Sequence, residues 1–323
     1  MRVAAVDCGT NSIRLLVADV DGVDGPPVPV EVDRRMRIVR LGEGVDATGR
    51  LSQAALDRTW DACDEIARVL ADLRPRSVRF IATSASRDAE NAAVFIAGVR
   101  ERLGVEPEVV SGQEEARLSF AGALAGLAAQ RPPEPVLVLD IGGGSTEFAL
   151  GSVDRGSARS AAGRPDPAGI SLNIGSVRLT ERSLSGDPPT AGQVAATTAL
   201  IDAALDDAER AVGISTGRTL VGLAGSVTSV GAAVLGLHAY DREKIHHARL
   251  PAARVHEVTG WLLGMTRADR STLEWLHPGR VDVIGAGALV LDRVLQRLGP
   301  TLAAPEVIVS EQDILDGIVL SQV

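Results

Sequence analysis

Three turns rich in glycine and hydroxyl side chains each follow a short apolar segment, and they are the part of this sequence best suited to bind an anion. Glycine lets backbone N–H groups approach and surround an anion, and neighbouring hydroxyls add donors. Two of the turns come after an aspartate, whose carboxylate suits Mg²⁺ better than direct contact with a phosphate. An ordinary tight turn is the alternative for any one of them. The residues are Asp7, Thr10, Asn11 and Ser12, then Asp140, Gly142, Gly143, Gly144 and Ser145, then Gly225 and Ser226.

The first two turns belong to an internal repeat. VAAVDCGTNS at 3–12 and VLVLDIGGGST at 136–146 share an apolar segment, an aspartate, one apolar residue, a glycine and small polar residues. A second apolar segment follows each turn, which predicts a β-hairpin. The repeat therefore predicts two related halves whose turns face a common cleft.

The elements that must position these turns alternate between strands and helices. Apolar residues recur at helical spacing over 52–73 and 190–212, and Ser52 is the predicted cap of the first of these helices. Residues 83–88 are predicted as a loop, and Ser310 as the cap of a terminal helix from about Gln312. Strands mixed with helices predict an α/β fold.

Two further features concern the loops and the cleft. Glycine and proline are frequent over 21–29 and 154–169, which predicts loops there. Arg34, Arg35, Arg37 and Arg40 fall on one predicted strand, and alternation places Arg35 and Arg37 on one face. One pair is expected to line the cleft, and a solvated edge strand is the alternative.

Composition excludes several classes of protein. The 323 residues suggest about two domains. Lys plus Arg minus Asp plus Glu is 33 − 42 = −9, which disfavours a nucleic-acid binder. No long apolar stretch or signal peptide is predicted, so we expect a cytoplasmic protein without a membrane partner. The sole lysine, Lys244, does not follow a glycine, which excludes a Walker A loop.

Seven segments resemble the exopolyphosphatase/guanosine pentaphosphate phosphohydrolase (Ppx/GppA) family, within the actin-like, hsp70 and sugar kinase superfamily. They occur in the family's order and span nearly the whole chain. One departure is Cys8, where the family usually has an aliphatic residue. The segments are DCGTNSIRLLV at 7–17, RLGEGVDATGRLS at 40–52, ATSASRDAEN at 82–91, SGQEEARLSF at 111–120, VLDIGGGSTEF at 138–148, LAGSVTSVGA at 223–232 and RVDVIGAGALVL at 280–291.

The resemblance implies a role for the matched residues. Glu115 matches the carboxylate that activates the attacking water, and Arg87 matches a phosphate-contacting arginine. Asp140 and Glu147 match the carboxylates that place a divalent ion, Mg²⁺ or Mn²⁺. The first two glycine turns match the family's phosphate-binding turns. Phosphoryl transfer needs positioning and charge neutralisation, which these residue types supply.

The resemblance also implies the architecture. We expect a two-domain actin-like (ribonuclease H-like) α/β fold with the active site in the interdomain cleft. The expected domains are 1–121 and 122–305. Whether the C-terminal segment 306–323, predicted as a helix, completes the first domain is left open.

The implied activity is that of an exopolyphosphatase that releases orthophosphate from the end of inorganic polyphosphate. Longer family members carry an extra C-terminal helical region, whereas this sequence ends soon after SEQDILDG at 310–317, so we expect a preference for short chains. One alternative is a guanosine pentaphosphate 5′-phosphohydrolase of the stringent response, acting with the same site. An ATP-using kinase and a non-catalytic polyphosphate or alarmone sensor stay open. A homodimer is the default oligomer.

Overall fold

Two β-sheets with the same strand order organise the protein. The computed structural model describes residues 1–20, 29–153 and 166–323, and the predicted loops at 21–29 and 154–169 lie mostly outside them. The first sheet has the order β3-β2-β1-β4-β5. Its strands are β1 (Arg2–Cys8), β2 (Ser12–Val20), β3 (Pro29–Ile38), β4 (Ser77–Ala82) and β5 (Glu108–Val109).

The second sheet repeats this arrangement and adds an edge strand. Its order is β10-β11-β9-β6-β7-β8. In both sheets the first strand pairs antiparallel with the second and parallel with the fourth. This duplicated topology is the actin-like, ribonuclease H-like fold that the family resemblance implies. The strands are β6 (Val136–Ile141), β7 (Thr146–Gly151), β8 (Ala168–Leu172), β9 (Thr219–Leu223), β10 (Arg249–Pro251) and β11 (Glu306–Val309).

Helices cover both faces of each sheet. The central strands β1 and β6 are therefore buried along almost their whole length, which is why they read as continuous apolar segments. The helices are α1 (Val45–Thr48), α2 (Gln53–Leu73), α3 (Ser84–Asp88), α4 (Ala92–Leu103), α5 (Gly112–Leu127), α6 (Ser176–Ser183), α7 (Ala191–Val212), α8 (Ala224–Val234), α9 (Arg242–Ile245), α10 (Ala252–Gly264), α11 (Arg267–Arg270), α12 (Ile284–Leu298) and α13 (Ile314–Leu320). Over the described ranges, no helix combines the length and apolar character that a bilayer span requires.

Capping confirms one predicted helix start and corrects another. Ser52 caps α2, and its hydroxyl accepts a hydrogen bond from the Ala55 amide at 3.2 Å. The terminal helix α13 is capped by Asp313 rather than Ser310, because the Asp313 carboxylate accepts from the Leu315 amide. The Ser310 hydroxyl instead donates to the Gln312 carbonyl. Residues 84–88, predicted as part of a loop, form the single-turn helix α3, which is too short to show a helical period.

The helix α5 lies between the two sheets and crosses α13 closely. Its Leu118 belongs to the core under β1, whereas Phe120 packs against the second sheet. A Cβ on Gly317 of α13 would overlap the Leu118 carbonyl, so glycine permits this crossing. The predicted domain boundary at 121/122 falls inside α5 and stays a prediction. The segment 306–323 is not a single helix, because 306–309 form β11 of the second sheet and only α13 packs on β1.

Candidate active site

A small cavity of about 90 Å³ lies where the strands β1 and β6 end. Both repeat-related turns and the start of α8 contribute to its wall, so the structure brings the three predicted turns together. The predicted residues that line it are Asp7, Thr10, Asn11, Ser12, Glu115, Asp140, Gly142, Gly143, Ser145, Gly225 and Ser226.

The two repeat-related turns have the same hydrogen bond and touch each other. The Gly9 amide donates to the Ser12 carbonyl at 2.9 Å, and the Gly142 amide donates to the Ser145 carbonyl at 3.0 Å. A Cβ on Gly144 would lie 2.5 Å from the Thr10 Oγ1 atom. Glycine at this position therefore lets the two turns meet at the cleft.

The start of α6 contacts the carbonyls of the second turn and not its amides. The Ser176 amide donates to the Gly142 carbonyl at 2.9 Å, and the Val177 amide donates to the Gly143 carbonyl at 2.8 Å. Within the described ranges, the amides of Gly143 and Ser145 have no acceptor. Because backbone amides near a small cavity are suited to bind an anion, the turn has the donors that a phosphate group requires.

Three buried carboxylates come together beside the turns. Glu115 lies in the first turn of α5, and Asp140 faces Glu147 across the β6–β7 ladder. The Ser119 hydroxyl donates to Asp140 at 2.7 Å, and the Ser171 hydroxyl donates to Glu147 at 2.6 Å. Glu115 and Asp140 line the cavity, whereas Glu147 does not reach its wall.

Burial raises the pKa of all three acids. It raises the pKa of Glu115 to about 8, although Arg87 acts in the opposite direction, and that of Asp140 to about 6. The pKa of Glu147 is raised by burial first and then by the charges of Glu115 and Asp140. Burial and the neighbouring carboxylates therefore outweigh the nearby cations, so an added positive charge would favour the ionised form of these acids.

This buried cluster of carboxyl groups fits a hard divalent cation, which would favour their ionised form. Carboxylate oxygens suit Mg²⁺, which usually takes one or two of them and completes its shell with water and substrate phosphates. In the part of the chain that the structure describes, no three His, Cys, Asp or Glu side chains form an all-protein metal site. The donors fit an ion held jointly with substrate, and the assignment of Asp140 and Glu147 stays a prediction.

Arg87 contacts the candidate base instead of the cavity. Its Nη1 donates to Glu115 Oε2 at 3.1 Å and to the Val110 carbonyl at 3.0 Å. Like Gly144 and Glu147, Arg87 is not among the residues that line the cavity. In this structure Arg87 is therefore placed to orient Glu115, a different position from the direct phosphate contact that the resemblance implies.

Two other arginines, Arg14 and Arg280, line the cavity and were not singled out from the sequence. Arg14 donates to Asp7 Oδ2, with a shortest distance of 2.7 Å, and also pairs with Asp313. Arg280 has no carboxylate within 4.0 Å in the described ranges, and burial lowers its pKa. A Cβ on Gly225 would overlap the Arg280 guanidinium, so Gly225 makes room for this cation.

The repeat contains a signal for Arg14. Arg14 faces Asp7 across the β1–β2 ladder, as Glu147 faces Asp140 across the β6–β7 ladder. In the sequence Arg14 appears only as an interruption in an apolar segment. Comparing the two repeats position by position would have selected it.

A larger cavity of about 410 Å³ adjoins the first and shares Arg14, Ala224, Gly225 and Arg280 with it. Its wall is mixed in character. It contains the apolar side chains of Met36, Trp275, Leu276 and Pro278, the acids Glu274, Glu311 and Asp313, and further arginines, Arg34 and Arg35.

All four arginines of the predicted edge strand are paired with acids, and Arg40, which pairs with Asp282 at 2.8 Å, lies beyond the end of β3. Arg34 contacts Asp316 at 3.1 Å, and Arg35 contacts Asp33 at 2.8 Å. Arg37 pairs with Glu65 at 2.9 Å. Arg34 and Arg35 line the larger cavity. They are adjacent in sequence, so they are not the same-face pair expected to line the cleft.

Comparison with known proteins identifies the family. Residues 16–323 match the model of the Ppx/GppA phosphatase family. Exopolyphosphatase 2 of Mycobacterium tuberculosis (strain ATCC 25618 / H37Rv) is 45% identical, with 99% of this chain and 98% of that protein covered. A solved exopolyphosphatase-like protein is 42% identical with a TM-score of 0.91, covering 100% and 98% of the two chains. The Aquifex aeolicus Ppx/GppA family member is 28% identical with a TM-score of 0.79, covering 100% and 97%. This chain belongs to the Ppx/GppA phosphatase family.

Proposed function

We propose that this phosphoanhydride hydrolase removes orthophosphate from the end of inorganic polyphosphate. The proposal rests on one observation, the set of residues that border the small cavity. Glu115, free amides of the second turn and Arg280, which has no ion-pair partner in the described ranges, all border it. A base and a set of anion-binding groups around one small space are what hydrolysis of a terminal phosphate requires.

The proposed chemistry uses Glu115 as general base. The ionised carboxylate accepts a proton from water as the water oxygen attacks the terminal phosphorus, and the bridging P–O bond breaks. The Arg87 guanidinium holds the Glu115 carboxylate at 3.1 Å and favours its ionised form. The second turn and Arg280 bind the phosphoryl oxygens. Mg²⁺ or Mn²⁺, held by Asp140 and Glu147, would neutralise charge on these oxygens when bound.

The charges of the larger cavity support a preference for short chains. A long polyphosphate that leaves the small cavity through it would meet the acids Glu274 and Glu311. Arg34 and Arg35 already pair with acids of their own. Arg280 is left as the cation without an acidic partner in the described part of this wall. Because each added phosphate adds negative charge, the cavity favours few phosphates beyond the scissile bond.

The apolar wall of the larger cavity favours one alternative substrate. Met36, Trp275 and Tyr240 form a surface that suits a planar organic group better than a phosphate chain. Guanosine pentaphosphate would place its terminal phosphate in the small cavity and its nucleoside beside these side chains. The second candidate function is therefore guanosine pentaphosphate 5′-phosphohydrolase.

Parallel assays of phosphate release separate these functions. The purified protein with Mg²⁺ is offered short polyphosphate, long polyphosphate, guanosine pentaphosphate and ATP, each over a range of concentrations. We expect the highest kcat/KM with short polyphosphate. Higher kcat/KM with guanosine pentaphosphate would favour the alternative. Tight binding without phosphate release from any substrate would contradict both and support a sensor.

A further inference from the structure

Arg178 of α6 uses all three nitrogens of its guanidinium, one within its own half of the molecule and two across the cleft. Its Nε donates to the Gly144 carbonyl of the second turn at 2.7 Å. Its Nη1 and Nη2 pair with Asp46 and Asp88, which belong to the opposite half of the molecule. Only 11% of its side chain is exposed. One side chain therefore links the second phosphate-binding turn to two elements of the first half.

The acids that Arg178 contacts lie beside residues of the candidate active site. Asp88 ends α3 and directly follows Arg87, which holds Glu115. The same helix begins with Ser84, whose hydroxyl is hydrogen-bonded to Thr10 at 2.8 Å. The position of α3 therefore affects both the base and the first turn.

Asp46 connects Arg178 to the first turn by a second route. It lies in α1, shortly after Gly42, whose amide donates to the Thr10 carbonyl at 2.9 Å. Arg178 thus joins the second turn to both segments that support the first turn.

We propose that Arg178 is a positioning residue that locks the two halves together and fixes the Gly144 peptide for hydrolysis. It does not line the small cavity, so it acts through the turn and α3 and not on the substrate. Its planar guanidinium presents donors in a fixed fork, which lets it hold three partners at set angles. The kinetic part of this inference rests on the proposed hydrolysis.

Arg182, one helical turn along α6, provides a matched control. It pairs with Asp46 at 2.7 Å, but it is 43% exposed. The described contacts of Arg182 include neither the second turn nor Asp88. Loss of Arg182 removes an exposed ion pair, and such pairs contribute little. Loss of Arg178 frees the turn and α3 together.

The test combines steady-state kinetics with small-angle X-ray scattering. We expect Arg178→Met to lower kcat at saturating substrate by at least about tenfold, because small displacements of reacting groups cost this much or more. The double variant Asp46→Asn/Asp88→Asn, which keeps Arg178, is expected to lose activity similarly. Arg182→Met is expected to stay within about twofold of the unaltered protein. Without ligand, Arg178→Met and the double variant should have a larger radius of gyration.

Thermal unfolding identifies any variant that fails to fold, and the double variant then provides the decisive comparison. The inference is overturned if folded Arg178→Met or the folded double variant keeps unaltered kcat and radius of gyration. If the unaltered protein hydrolyses no phosphoanhydride, the proposed function fails instead. In that case the radius of gyration of the variants still tests whether Arg178 holds the two halves together.

Discussion

Replacing Arg280 with methionine tests whether the cleft is built around an anion. The Arg280 guanidinium lines both cavities, and its Nη2 contacts the Met36 sulfur at 3.7 Å. No carboxylate lies within ion-pair distance of it in the described ranges. Methionine keeps the apolar stem and removes the charge. We expect weaker substrate binding and no loss of folding stability.

The expected loss follows from the contact that Arg280 would make with a phosphate. A hydrogen bond to a charged group contributes about 1.5–3 kcal/mol. Since 1.36 kcal/mol corresponds to a factor of ten, kcat/KM should fall roughly 13- to 160-fold. Burial lowers the pKa of Arg280, so its charge is unfavourable in the free protein. The ligand-free variant should therefore unfold at the same or a higher temperature.

Phosphate-release kinetics and calorimetry together decide this prediction. Arg267→Met is the control, because Arg267 is 64% exposed and pairs with Asp282 at 2.8 Å. We expect its kcat/KM to match that of the unaltered protein. Unchanged kcat/KM in Arg280→Met, together with a lower unfolding temperature, would show that Arg280 is a structural residue and would refute the reasoning.

Three further predictions concern the turns, the buried acids and the terminal helix. Gly144→Ala places a Cβ 2.5 Å from Thr10 Oγ1 and 2.6 Å from Ser84 Oγ, so kcat/KM should fall at least about tenfold. In the control Gly260→Ala the added Cβ meets nothing within 4 Å, and kcat/KM should not change. In metal-free protein the pKa of Glu115 is raised to about 8, against an ordinary 4.5. Between these pH values the folded state holds a proton that the unfolded state releases. The free energy of unfolding should therefore fall as pH rises through this range. The pH dependence of the unfolding temperature should be weaker in Glu115→Gln, and an equal slope would contradict the buried site. Gly317→Ala should destabilise the protein by about 1–3 kcal/mol through overpacking against α5, and an unchanged unfolding temperature would argue against the close helix crossing.

Local sequence patterns were sufficient to predict the turns and their strands. Asp7 and Asp140 each end a continuous apolar strand, and the glycine and hydroxyl residues after them match between the repeats. The strand, the turn and the return strand are encoded within about a dozen consecutive residues. The shared strand order of the two sheets then follows from duplication of this unit.

The remaining features depend on contacts between distant segments. Arg14 pairs with Asp313, 299 positions later, and nothing near Arg14 in the sequence reveals that partner. Arg280 borders the small cavity only because Gly225 leaves space for it. The place of Arg87 beside Glu115 likewise depends on how α3 and α5 pack. Spacing alone gives none of these contacts.

We propose Glu115 as the base of a phosphate-releasing site between the two turns. The direct test is phosphate release from short polyphosphate with Mg²⁺ by Glu115→Gln and by Glu114→Gln. Glu114 is the adjacent acid in the same helical turn, and it pairs with Arg117 at 2.7 Å. We expect Glu115→Gln to lower kcat by roughly 10²- to 10⁴-fold, as loss of a general base does, and Glu114→Gln to keep nearly full activity. Equal activity of the two variants would contradict the assignment of Glu115 as the base.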